Sequence, residues 1–114
     1  MEVANQQRAL CAKYGVAFEP SPEHSTLGIS KSFDATQNPI NGLRHPPQGN
    51  TCGWYIWSGR ELSQADDFFV PLHVHHLPEV CEAVLKFIGL PPGWRFLLAP
   101  GKEDVWFDLA LLDV

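Results

Sequence analysis

Cysteine is scarce in this 114-residue chain, basic residues are few, and no long apolar run occurs. Each shortage removes a class of protein. The three cysteines, Cys11, Cys52 and Cys81, are odd in number and form no Cys-x-x-Cys pair. That argues against a disulfide framework and favours a reducing compartment. No stretch approaches the roughly 20 apolar residues of a membrane span, and the N-terminus has no basic-then-apolar leader pattern. The expectation is a cytoplasmic chain with no membrane contact. Eight Lys and Arg stand against thirteen Asp and Glu, a net charge of −5, whereas nucleic-acid binding needs a basic face. The glycines fall singly at turns and build no phosphate-cradling loop, and Gly-x-Ser-x-Gly is missing.

What the chain does hold is aromatic: four Trp, seven Phe and two Tyr, enough for a core carried by a few large side chains. At this length one domain, residues 1–114, buries somewhat under 70% of its unfolded surface. The charge is unevenly placed. Acids and bases cancel through residue 56, so the whole deficit falls on residues 57–114. An acidic half steers a basic protein partner, or serves only solubility.

The organising stretch runs from Pro39 to Gly59. Asn41-Gly42 reads as a turn, and Pro46-Pro47 holds His45 extended. Trp54-Tyr55-Ile56-Trp57 then reads as a strand bounded by Gly53 and Gly59. Trp54 and Ile56 share one face, assigned to the core, while Tyr55 and Trp57 share the other, which serves core or partner. Arg44 and His45 in the stiff loop, with Tyr55, Trp57, Arg60, Asp66 and Asp67 near by, form the candidate partner-binding region. Trp, Tyr and Arg dominate binding hot spots, and loops on rigid scaffolds commonly carry function. The alternative is that Arg44 pins the loop and the tryptophans are core.

Elsewhere, Val3, Leu10, Cys11 and Tyr14 form a helical stripe over residues 2–14, stopped by Gly15. Leu27–Phe33 alternates as a half-buried strand. Residues 60–69 read as a loop anchored by Phe68 and Phe69, and 70–76 as a short extended piece. Residues 78–88 are predicted helical, with Leu77, Val80, Cys81, Val84, Leu85 and Ile88 on one stripe. Gly93–Ala99 and Val105–Phe107 suit a hairpin across Pro100-Gly101. The expected class is α+β, a mainly antiparallel sheet of about four strands with two helices.

Two constellations invite chemistry. His73 and His75 of His73-Val-His-His share a strand face and could offer two imidazoles to a metal, with Cys81 or Asp66/Asp67 completing the set. Cys81, however, belongs to the helical stripe, and no third ligand sits at a recognisable spacing. Cys52-Gly-Trp lacks the further Cys of the papain-type signature. No metal, cofactor or catalytic residue is assigned.

The blocks Pro39-Ile-Asn-Gly-Leu-Arg-His-Pro-Pro, Thr51-Cys-Gly-Trp-Tyr-Ile-Trp-Ser-Gly, Leu90-Pro-Pro-Gly-Trp-Arg-Phe and Asp104-Val-Trp-Phe-Asp closely resemble the immunity protein 33-like domain, most strongly over residues 39–114. The resemblance implies a bacterial protein of a polymorphic-toxin system. Such a protein binds a cognate toxin domain in the cytoplasm and neutralises it by occlusion, without catalysis. The rival readings are a small-molecule module with an aromatic pocket near Trp57, and a metal-dependent enzyme using His73 and His75.

Overall fold

The structure is a computed structural model that describes residues 2–63 and 65–113; the loop expectation at Gln64 lies outside them. Helix α1 (Glu2–Tyr14) is followed by β1 (Thr26–Ser30), β2 (Ile40–Arg44), β3 (Thr51–Ser58) and β4 (Phe69–His73). The short helix α2 (Leu77–Val80) and a 3-10 helix (Glu82–Phe87) precede the hairpin β5 (Trp94–Ala99) and β6 (Lys102–Phe107). The six strands form one sheet in the order β4-β1-β3-β2-β5-β6. All neighbours are antiparallel except β1 and β3, so the sheet is mixed. The class is α+β in a single compact domain, with a Cα radius of gyration of 13.0 Å, the value expected at about this length.

Two strands beyond the four expected account for the difference. β4 is the piece read from 70 to 76, which pairs with β1 and then tightens into a 3-10 turn at Val74–His76. β2 is the larger correction, because Asn41-Gly42 is no turn. Asn41 faces Trp57 and Leu97, and Gly42 faces Ile56 and Phe96, in mid-strand. Gly42 is needed for space: a Cβ there would lie 2.1 Å from the Phe96 ring. Its glycine lets an aromatic side chain cross a strand closely, the alternative meaning of glycine within a strand. The reversal comes later, at residues 45–50, with Gly49 at φ 60°.

The predicted helix over 78–88 is broken. Cys81 is extended (φ −161°, ψ 98°), and a 3-10 helix follows. Its stripe is buried nonetheless, apart from half-buried Val80. Phe87, outside the 3.6-residue stripe, is fully buried, at a three-residue spacing from Val84 and Leu90, which is the 3-10 period. Non-local bonds then take over carbonyls of this segment. Leu85 O accepts from Gln7 Nε2 on α1, Ile88 O from Trp54 Nε1 on β3, and Leu90 O from Arg44 Nη1 on β2. Fixed partners on three other elements outweigh a short segment's weak preference for regular helix.

The sheet has unlike faces. The helix-covered face holds Leu27, Ile29, Trp54, Ile56 and Phe96, packed against Leu10, Cys11, Leu77, Val84 and Phe87. Phe87 and Phe96 stack at 4.4 Å. Apart from the one-turn 3-10 helix Leu109–Leu112, no helix covers the other face among the described residues. Its buried cluster is small, comprising Leu43, Trp57 and the C-terminal turn residue Leu111, flanked by Tyr55, Phe68 and Phe69.

Candidate functional site

Cross-strand register shows which side chains share the helix-free face. Tyr55 faces Leu43, and Trp57 faces Asn41. Asn41 and Leu43 face Leu97 and Arg95, which in turn face Asp104 and Trp106. Gly28 faces Tyr55 on β3 and Pro71 on β4, and Ser30 faces Phe69. One surface therefore runs from Phe69 across Tyr55, Leu43 and Arg95 to Trp106.

Its centre is a cleft of about 280 Å³ lined by Leu43, His45, Tyr55, Phe69 and the loop residues Leu62, Ser63 and Ala65. Tyr55 meets His45 edge-on at 5.6 Å and Phe69 at 5.1 Å, and Phe69 meets Phe68 at 4.9 Å. His45 Nδ1 lies 3.0 Å from Leu111 O. A carbonyl only accepts, so Nδ1 is the donor in this bond. A second cleft of about 450 Å³ adjoins Asn41, Leu97, Ala99, Arg60 and Lys102 on the same face. At the β6 edge of the face, outside this cleft, Arg95 lies over the Trp106 ring at 5.4 Å and pairs with Asp108 at 3.1 Å.

All three buried side-chain polar atoms without a protein partner, among the described residues, belong to this face: Ser30 Oγ, Trp57 Nε1 and Arg95 Nε. Native proteins leave few such atoms, and each calls for a reason. On the covered face, by contrast, Trp54 Nε1 and the Arg44 guanidinium are bonded to carbonyls.

The residues singled out from sequence separate on this evidence. His45 and Tyr55 are half-buried in one cleft, Asp66 and Asp67 are exposed on the flanking loop, and Arg60 is exposed at the second cleft. Arg44 and Trp57 leave the surface set, at 2% and 4% exposure. Arg44 points to the covered face, where Nε donates to Cys52 O at 2.9 Å and Nη1 to Glu19 O and Leu90 O at 2.7 Å each. Burial pulls its pKa below the usual range, partly offset by Cys52 and Glu19. Trp57 packs into the small cluster, so the cleft adjoins Tyr55 and not Trp57. Sequence reading missed Trp106, 37% exposed, because Val105-Trp-Phe read as a strand without an assigned face.

His73, His75 and His76 line neither of these clefts. His73 ends β4 while His75 sits in the 3-10 turn, so the two do not alternate along one strand. Their ring centroids are 5.4 Å apart, and His75 Nδ1 is engaged at 3.1 Å with Glu23 O. Among the described residues no group of three or more His, Cys, Asp or Glu is placed to hold a metal. Four of the nine acids of the second half lie in ion pairs. Asp67, Glu103, Asp104 and Asp108 each pair with a base within 3.6 Å. No described helix is long and apolar enough to cross a membrane.

Comparison with curated proteins and with solved structures finds no match. A family model does match, that of the Imm33-like domain, over residues 6–108. The blocks that resemble this family include β2, β3 and the β5–β6 hairpin, the strands that build the helix-free face and its cleft. The chain belongs to the Imm33-like domain family.

Proposed function

We propose that this chain is an immunity protein that neutralises a cognate toxin domain in the cytoplasm by stoichiometric contact, docking it on the helix-free face of the sheet. The carrying observation is the state of that face. It has two clefts, an aromatic pair at Tyr55 and Phe69 with Trp106 at the far edge, and every unpartnered buried side-chain polar atom found among the described residues. Tyr55, Trp106, His45 and Arg60 supply aromatic and polar anchors of the kind that dominate interfaces, and Asp66 and Asp67 lie at the rim. A standard interface covers about 800 Å² of each partner, about one-eighth of this chain's 6460 Å². The face mixes signs, with Lys31, Arg60, Arg95 and Lys102 near Asp67, Asp104 and Asp108. A partner of mixed charge suits it better than a uniformly basic one.

The test is co-expression with the toxic domain encoded beside the gene, followed by calorimetry on the purified pair. Growth rescue and a 1:1 complex are expected. Tyr55→Ala and Trp106→Ala should each weaken binding by more than tenfold while the circular dichroism spectrum stays native. Failure of rescue removes the function, whereas rescue with both variants binding normally removes only the face.

A further inference from the structure

Arg44 carries a charge that the fold has taken out of water without neutralising. Its three protein bonds all run to neutral carbonyls, of Cys52, Glu19 and Leu90. Among the described residues no carboxylate forms an ion pair with it. Nε and both protons of Nη1 are spent on those carbonyls, which leaves Nη2 as the nitrogen with no protein acceptor. A cleft of about 380 Å³ opens onto this side chain, walled in part by His24, Ser25, Asn50 and Thr51, with Glu19 and Cys52 beside it. Its size falls in the range of small-ligand sites. It lies beside the connector after α1 and the 46–51 loop, away from the Tyr55 cleft.

We infer that this cleft is a binding site for a carboxylate or small oxyanion, held by Nη2 of Arg44 with donors from Asn50 and His24 at the mouth. A largely buried guanidinium gains more from an anion than a fully exposed one does, because less water competes for it and the local dielectric is lower. Its planar fork matches two oxygens at once. The carbonyls already hold Arg44 in place, so an arriving anion meets an ordered donor and loses little to ordering. Two sources share this chemistry: a free organic acid or phosphate, and an acidic side chain of a docked protein.

The experiment is a nuclear magnetic resonance titration of the full chain with sodium acetate and, separately, sodium phosphate, against sodium chloride at equal ionic strength. The Arg44 Nε–Hε resonance and the amides of Ser25, Asn50 and Thr51 are followed. Saturable millimolar binding of acetate, phosphate or both, absent with chloride, is expected. Glu19→Gln removes a negative charge from the mouth and should tighten binding about two- to fivefold, leaving the Glu19 carbonyl in place. Arg44→Lys should abolish saturation. Should that variant not fold, Thr51→Glu tethers a carboxylate in the cleft and should block the titration with Arg44 intact. Competition between acetate and the toxin domain would identify the source as a partner's acidic group, and its absence a free anion. Linear drift matching chloride, or binding indifferent to Thr51→Glu, overturns the site.

Discussion

Trp54 and Trp57 stand three residues apart on one strand, and both are almost wholly buried. Their surroundings differ. Trp54 lies between sheet and helices, 5.7 Å from Phe96, with its indole N–H donated to Ile88 O at 3.1 Å. Trp57 lies under Leu111 and beside Phe69, and its N–H has no partner. One face of the sheet is finished inside the chain, with large side chains packed and polar atoms satisfied. The other is thinly covered and keeps polar atoms unmet. Depth of burial does not separate the structural face from the available one. Completeness of packing and hydrogen bonding does.

The comparison breaks most visibly at Trp54. Trp54→Ala removes a ring and a buried donor, and should cost about 3–5 kcal/mol, read as a lower urea midpoint. Trp57→Ala should cost clearly less, and a cost equal to that of Trp54→Ala would mean the two faces are equally finished. Gly42→Ala comes next, at about 1–3 kcal/mol from forcing a methyl against the Phe96 ring. A neutral result would restore the turn reading of Asn41-Gly42. Tyr55→Ala tests the other face, with about 1 kcal/mol or less of stability lost but partner binding lost.

The smallest effect concerns Asp34, in the exposed turn after β1. Its carboxylate accepts from Thr36 N at 2.9 Å and Thr36 Oγ1 at 2.7 Å, and the hydroxyl bond chiefly holds its pKa below the ordinary value. A depressed carboxylate pKa adds stability above the unfolded value of about 3.9, lost as the pH falls through the folded value. Thr36→Val should raise the Asp34 pKa toward ordinary in a carbon-13 titration, without moving the midpoint measurably at neutral pH.

Much of the sheet was legible locally. The Trp54–Trp57 alternation, the hairpin across Pro100-Gly101 and the stop of α1 at Gly15 depend on neighbours in sequence, and each appears as read. The residues singled out for partner binding differ in exposure. His45, Tyr55, Arg60, Asp66 and Asp67 are reachable, while Arg44 is buried because distant carbonyls claim it. Trp106 escaped because the sequence does not say which strand face the helices cover.

The sequence by itself determined where the strands of β3 and the β5–β6 hairpin lie, which of their residues alternate, and which family the resemblance pointed to. Those are properties of period-two geometry, turn chemistry and recognisable local blocks. Tertiary structure alone decided that Asn41-Gly42 lies in mid-strand, that residues 77–87 are not one helix, and that Arg44 faces inward. In each case a partner 34 to 54 residues away in the chain supplies what local preference could not: the Phe96 ring against Gly42, the Trp54 indole on Ile88 O just past the broken helix, and the Leu90 carbonyl on Arg44.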